Sequence, residues 1–480
     1  MSRLARTLAP PRFASTLACV LECGPGLRSI ALNRFMKALL LAPALLSLAL
    51  ATWTTAAKEP TRSIGVASVD ITPAYPIRLS GYAIRTTEAT NAVQKLWAKA
   101  LAIGTDREGP AILVTVDNTG VPKTVRDEVV ARLVKRKIDP HRISVCSTHT
   151  HSAPYLAGYL PTLFGAPLPA EHQVHVDRYT RELTDAIEQV ALQALKNRKP
   201  GRLSWAQGRA GFAANRRTKG GPVDHDLPML AVHDTKGKLR ALLVNYACHC
   251  TTMDGRDNVV CGDWAGYAQE FLQDDHPGAT VLVAIGCGAD ANPQPRTGLA
   301  FAQQHGREIA TNVNLLLTGP LKPVRGKLAC AARDIALPFD TPPTRAEFEK
   351  RAEQKDYVGF HARCMLEKLS RGEALPTRLP YLVQAWSFGE DLGMLFLPGE
   401  VVVDYSLRLK KEFDASRLWV NAYANDVPCY IPSERILTEG GYEGGGAMTF
   451  YGWPTRLAPG IEKLIVDAVH EVVPRSYLRP

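Results

Sequence analysis

Short apolar runs rich in β-branched residues alternate along this chain with amphipathic stretches of helical period, and that alternation limits the possible fold more than any other feature. Residues 63–73, 96–103 and 111–117 have strand character, and Ile143-Ser144-Val145 is a fourth, shorter run. Helical periodicity marks 126–137 and 174–196. The strands 230–233 and 239–246 are joined by Asp234-Thr235-Lys236-Gly237, a hairpin-type connection. A helix over 263–273, a strand over 280–285 and a helix over 299–317 follow. Residues 325–337 and 382–397 are strand-like, 401–413 helical, 418–424 extended and 461–472 helical again. This pattern predicts an α/β fold with mixed β-sheets flanked by helices, and a site in the loops at strand ends. The charged, helical stretch 341–377 is expected to be a peripheral insertion in a single domain spanning 58–480.

The N-terminus carries an address. Met36-Lys37 precedes a 14-residue apolar run, 38–51, broken by Pro43 and Ser47, and Thr52-Trp53-Thr54-Thr55-Ala56-Ala57-Lys58 follows. A charged start, an apolar centre and small residues at the end make a signal peptide cut after Ala57, with Met36 as the true initiator. The protein is thus expected to be exported, periplasmic or secreted. Its formal net charge is +10, and the 57-residue leader holds six Lys/Arg and one Asp/Glu, so the mature chain keeps +5. No basic run points to a nucleic-acid partner. Eight cysteines remain, at 146, 248, 250, 261, 287, 330, 364 and 429, and no spacing fixes a pairing. Cys248-x-Cys250 has no second such pair, so both thiols are expected to be buried apolar groups.

The chemistry gathers at strand ends. Cys146-Ser147-Thr148-His149-Thr150-His151-Ser152-Ala153-Pro154 follows the run at 143–145. In a strand-like His-x-His both imidazoles project to one side, so His149 and His151 can serve one site, one binding a metal while the other moves a proton. His249 closes the strand 239–246, Glu400 follows the extended run ending in Leu397-Pro398-Gly399, and Tyr430 lies in Asp426-Val427-Pro428-Cys429-Tyr430-Ile431-Pro432. Singly, each has an ordinary reading: a core histidine, a carboxylate at a helix N-terminus, a packing tyrosine. Together, two histidines and a carboxylate suffice for a catalytic zinc.

Taken in order, these blocks resemble the catalytic, N-terminal domain of the neutral/alkaline non-lysosomal ceramidases, secreted zinc amidases. The resemblance is carried by Asp70-Ile71-Thr72-Pro73 with Gly81-Tyr82, His149-Thr150-His151-Ser152, and Asn215-Arg216-Arg217. It continues through His249-x-Thr251-x-Met253, Gly262-Asp263-x-x-Gly266-Tyr267-Ala268, and Gly288-Ala289-Asp290-Ala291-Asn292-Pro293. Pro398-Gly399-Glu400 and Tyr430, twelve residues before Tyr442-Glu443-Gly444, complete it over about 63–455. The resemblance implies zinc held by His149, His249, Glu400 and Tyr430. It implies His151 as the proton-transfer histidine, and Arg216 and Tyr442 as groups that stabilise the oxyanion. The implied substrate is a ceramide-like N-acyl lipid or another small amide, with peripheral membrane contact as the route to a lipid.

Two departures bear on the reaction. Asn292 stands where the family pattern has a serine implicated in catalysis, and asparagine can position a water or donate to an oxyanion but cannot attack. The chain also ends soon after the Tyr430/Tyr442 block, so the family's additional β-rich C-terminal domain is not expected here. The sequence therefore points to an exported zinc-dependent amide hydrolase working through metal-activated water. The alternatives are a secreted binding protein with altered catalysis on the same scaffold, or a zinc esterase or phosphoesterase.

Overall fold

The apolar runs at 96–103, 111–117, 239–246 and 280–285 are strands buried on both faces, and alternate residues of each feed two different cores. The computed structural model describes residues 60–479; the expected leader, the Met36 start and the Ala57 cleavage point lie outside the described residues. In chain order the first elements are β1 (Arg62–Asp70), β2 (Trp97–Ile103), β3 (Ala111–Val116), α1 (Lys123–Val134), β4 (Ile143–Ser147) and α2 (Ala170–Lys196). There follow β5 (Lys199–Arg209), β6 (Ala213–Asn215), β7 (Asp226–Asp234), β8 (Leu239–Tyr246), α3 (Asp263–Asp275), β9 (Thr280–Ile285), β10 (Ala291–Pro293) and α4 (Leu299–Thr318). The third group is β11 (Lys322–Val324), β12 (Leu328–Pro338), α5 (Arg345–Ala352), α6 (Tyr357–Ser370), β13 (Arg378–Phe388) and β14 (Leu392–Phe396). The last are β15 (Glu400–Val401), α7 (Val403–Glu412), β16 (Leu418–Asn421), β17 (Tyr430–Ile431), α8 (Glu434–Glu439) and α9 (Ile461–Val472).

The main sheet runs β4-β3-β2-β1-β5-β7-β8-β9, with β11 added to β5. Only β3–β4 and β8–β9 are parallel within it, and each of these pairs is linked by a helical crossover, α1 or α3. The sheet is therefore mixed, as the sequence pattern predicts. Ile112, Val114 and Val116 of β3, with Val281, Val283 and Ile285 of β9, join the large core that also holds Leu183, Ile187 and Val190 of α2. Their neighbours Leu113 and Leu282 face the other way, into a second core with Trp386, Phe388, Met394, Phe396 and Trp419. That second core is shared with the sheet β12-β13-β14-β16, on which α9 lies. A period-two strand with both faces covered reads as one continuous apolar run, which is why these strands were visible in sequence.

Although β4 and β9 end the strand order, they come into contact, as do β9 and β2. The loops after β4 and β8 consequently meet. Residues 341–377 form the excursion between β12 and β13, with α5 and α6 packed on each other through Phe348, Ala362 and Met365. All eight cysteines from 146 onward are free, and both Cys248 and Cys250 are buried. No helix among the described residues is long and apolar enough to cross a membrane.

Candidate active site

Single backbone bridges zip four loops together. Thr150 pairs with Cys250 in a parallel bridge, which brings the loop after β4 beside the loop after β8. The His151 amide donates to the Cys250 carbonyl at 3.1 Å, and the His249 amide donates to the Ala291 carbonyl at 3.0 Å. Residues 400 and 430 are partners in the two-residue parallel pair β15–β17, so the Glu400 carboxylate and the Tyr430 phenol leave one short ribbon side by side. Arg216 is tied in by its amide, which donates to the Asp290 carbonyl at 2.8 Å.

The His-x-His stretch is not a strand, contrary to the sequence expectation. His149 has φ = 59°, in the left-handed region that a histidine rarely adopts. That twist, rather than a pleat, turns the two rings edge to face with centroids 4.7 Å apart. Nearby Gly81 (φ = 88°) leaves room for His151, because a Cβ there would fall 2.5 Å from the His151 Cγ.

Three imidazoles converge with the same polarity. The Nδ1 atoms of His149, His151 and His249 lie 2.6, 3.1 and 2.9 Å from the carbonyl oxygens of Thr119, Gly81 and Gly288. A carbonyl can only accept, so each Nδ1 carries a proton and, in the neutral ring, each Nε2 presents a lone pair. Those Nε2 atoms point at one another: His149 and His151 approach to 3.1 Å, and the three ligating atoms lie within 4.8 Å. The Glu400 Oε2 stands 3.2 Å from the His149 Nε2 and 3.0 Å from the His249 Nε2. It is buried and receives no hydrogen bond among the described residues, while Oε1 accepts from the Tyr451 hydroxyl. Lone pairs aimed at lone pairs and at a carboxylate oxygen repel unless a cation lies between them. The donor set therefore fits a metal ion.

The electrostatics agree. Burial opposes ionisation of Glu400, and its carboxyl falls well below the usual range when positive charge stands at the His149 and His249 Nε2 positions, the place a metal ion would take. Burial, and then the Arg216 charge, bring His249 down to about 4. Removal from water and the two neighbouring imidazoles keep His151 well below its ordinary value, hence neutral. The Tyr430 hydroxyl accepts from Arg216 Nη2 at 2.9 Å and lies 3.3 Å from the His249 Nε2. Burial keeps its phenol well above the ordinary value, with Arg216 pulling the other way.

Above this cluster opens a cleft of about 680 Å³ whose lining includes His151, Arg216, Asn292, Tyr430 and Tyr442. His149, His249 and Glu400 are buried beneath it. All eight residues singled out in the sequence are thus brought to one place. Tyr442 is 46% exposed and its ring packs on Tyr430 with centroids 5.3 Å apart. Asn292 accepts from the Thr251 hydroxyl at 3.3 Å.

Other residues build the site without having been singled out. Glu443 clamps Arg216 Nε and Arg217 Nη1, each at 2.7 Å, and fixes the guanidinium over the cluster. Asp290 accepts from the Val403 amide at 2.9 Å and the Asn215 carboxamide at 3.1 Å, joining α7 to the Arg216 loop. The Tyr423 ring lies 4.3 Å from the His149 ring. Glu443 and Asp290 sit inside blocks already marked in the sequence, and their adjacency was the available signal. Tyr423 and Tyr451 had none, since a tyrosine among apolar and glycine residues reads as packing.

Fold and site together define a mixed α/β protein with a candidate metal centre under an arginine- and tyrosine-lined cleft. The chain belongs to the neutral/alkaline non-lysosomal ceramidase family, whose N-terminal model matches residues 63–313. It is 23% identical over 273 residues to a neutral ceramidase of Pseudomonas aeruginosa, which is 52% of this chain and 37% of that protein. It is 24% identical over 244 residues to neutral ceramidase A of Dictyostelium discoideum, 46% of this chain and 33% of that one. Against neutral ceramidase 1 of Arabidopsis thaliana the figures are 25% over 233 residues, 44% and 29%. The matches therefore span well under half the length of these relatives. Among solved structures, the chain resembles neutral ceramidase from Pseudomonas aeruginosa with a TM-score of 0.66 and 20% identity, over 88% of this chain and 76% of that one. A ceramidase complexed with C2 gives 0.67 and 19%, over 88% and 77%. At such identity the likeness is one of fold.

Proposed function

We propose that the protein is an exported, zinc-dependent amide hydrolase that cleaves the N-acyl bond of a ceramide-like or other N-acyl substrate. The observation that carries this reading is the convergence of three Nε2 lone pairs and an undonated Glu400 oxygen beneath an open cleft. His149, His249, Glu400 and Tyr430 would hold the ion, and nitrogen with carboxylate and phenol donors suits zinc better than Mg²⁺ or Ca²⁺. Zinc supplies a water acidified to a pKa of ~7 and polarisation of the scissile carbonyl.

The chain's own groups do the rest. His151 is the imidazole of the three that lines the cleft, and it is neutral, so its Nε2 can take a proton from the attacking water. As the water oxygen bonds to the acyl carbon, the negative charge on the carbonyl oxygen is met by the Arg216 guanidinium and the Tyr442 hydroxyl. His151 then returns the proton to the leaving nitrogen as the C–N bond breaks, giving a carboxylic acid, which ionises on release, and an amine. Asn292 orients the water or donates to the oxyanion. If the substrate is a lipid, a peripheral contact with a membrane surface delivers it. Export rests on the leader 36–57.

The test is metal content together with hydrolysis. Purified protein should carry one zinc per chain and release amine from N-acyl compounds faster than it cleaves matched esters and phosphoesters. Zinc-loaded protein that cleaves only esters or phosphoesters replaces the bond assigned here. Protein that retains no transition metal supports a binding role instead.

A further inference from the structure

The cleft itself says something about what enters it. None of its fourteen lining residues is Leu, Ile, Val, Phe or Met, and its rings are those of Tyr82, His151, Tyr430 and Tyr442. Long alkyl chains find no aliphatic side chain to bury against there, and rings set among guanidinium and carboxylate groups return only part of the free energy of dehydrating them.

The charges in the cleft are unequal. Arg216 and Arg217 are both paired with Glu443, and Arg217 also with Glu439. Arg296 also lines the cleft, is half-buried, and has no hydrogen-bond or ion-pair partner among the described residues. Its backbone is held on both sides: the Gln294 amide donates to the Phe212 carbonyl at 2.7 Å, and the Thr297 amide to the Thr252 carbonyl at 2.8 Å. The Pro295 carbonyl also lies 2.6 Å from the His305 Nε2. The Arg296 charge is felt by Tyr82, where it opposes the burial that pushes the phenol up to about 12. The Tyr82 ring in turn packs 5.1 Å from that of His151. An unpaired guanidinium on a pinned loop, lining the same cleft as Tyr82 and the proton-transfer group, is a receptor for an anion.

We propose that the substrate is a polar N-acyl compound bearing a negative charge, a carboxylate or a phosphate, which Arg296 binds along the Tyr82 wall of the cleft. This rests on the amide-hydrolase reading and narrows it away from a neutral two-chain lipid. Arg296 acts in recognition, and the acyl bond is broken by the groups already described.

The test uses the full mature chain with zinc and three short amides: N-hexanoylglycine, N-hexanoylphosphoethanolamine and neutral N-hexanoylethanolamine. Released amine gives kcat/KM for each, and calorimetric titration gives Kd. Wild type should favour an anionic amide over the neutral one by ten- to a hundredfold, and the better anion distinguishes carboxylate from phosphate. Arg296→Ala should bring that ratio to within about threefold through KM, and Arg296→Lys should restore part of it. A ratio is indifferent to the fraction of variant that folds. Equal rates on charged and neutral amides in wild type, or an unchanged ratio in Arg296→Ala, overturn the proposal while leaving the hydrolase reading intact. If wild type cleaves no amide, the hydrolase reading fails and titration decides the rest. Anion binding weakened tenfold or more by Arg296→Ala sustains the receptor, and equal binding removes it.

Discussion

The three histidines share a tautomer and a carbonyl anchor but not a position, and their roles divide accordingly. His149 is buried with Glu400 against its Nε2, whereas His151 opens onto the cleft. His149→Ala should lose metal and activity together. His151→Ala should keep zinc and lose ~10²–10⁴-fold in rate, the usual worth of a general acid–base. Zinc content and hydrolysis measured on both variants decide the matter, and if both empty the site equally, His151 is a ligand as well. Gly81 offers a gentler probe of the same ring. Its φ of 88° and the 2.5 Å approach of an added Cβ to His151 mean that Gly81→Ala must strain the backbone and push the imidazole aside. The expected result is retained zinc, a stability loss of ~1–2 kcal/mol for the left-handed backbone, and activity down by ~10²-fold for a misplaced catalytic group. Unaltered activity in a folded variant would show that the His151 ring need not sit where Gly81 lets it.

At the scale of elements, legibility followed burial. The strands expected at 239–246 and 280–285 and the helix at 461–472 are found as Leu239–Tyr246, Thr280–Ile285 and Ile461–Val472. Each carries a strong apolar signal at its own period. Lys199–Arg209 carries no clear strand signal because Pro, Gly and Arg interrupt it, although Leu203 and Trp205 alternate into the core. The two-residue strands at 400 and 430 are shorter than any periodicity can register, yet they set the Glu400–Tyr430 register. One element depends on a distant residue in a testable way. Helix α1 starts at Lys123 after Pro122, which has no side chain to cap it, and the Lys123 amide donates instead to the Asp426 carboxyl at 2.9 Å. Burial raises the Asp426 pKa to about 7. A carboxyl raised above its unfolded value near 3.8 binds protons more tightly in the folded state. Its contribution is therefore most favourable below that value and is lost as pH rises through about 7. Asp426→Asn keeps an acceptor for Lys123 but cannot ionise. Its stability relative to wild type should climb between pH 4 and 7 and level off above, as denaturant midpoints at several pH values would record. A flat difference across that window would place the ionisation elsewhere.

For the whole molecule, the site residues were legible because chemistry-bearing side chains cluster in short blocks, while their meeting was not. That meeting depends on β4 and β9, the ends of the main sheet's strand order, coming together, and on bridges such as Thr150–Cys250 that have no sequence signature. The same construction predicts how the fold responds to metal. Residues 149, 249, 400 and 430 belong to two loops and two short strands spread over more than half of the chain, and in the folded state their lone pairs and carboxylate face one another. Without a cation that arrangement repels, and nothing comparable exists in the unfolded chain. On the proposed reading zinc binds the folded state preferentially and stabilises it by RT ln(1 + [Zn]/Kd), ~4 kcal/mol when free zinc stands at a thousand times Kd. Chelation should therefore lower the melting temperature by several degrees, and re-addition of Zn²⁺ should restore it where Mg²⁺ and Ca²⁺ do not. His249→Ala should melt near the chelated wild type and gain nothing from added zinc, since its site is already broken. A melting temperature that stays put after metal analysis has verified complete removal of zinc would mean that the cluster tolerates its own repulsion, and that the three imidazoles and Glu400 are not held in place by an ion.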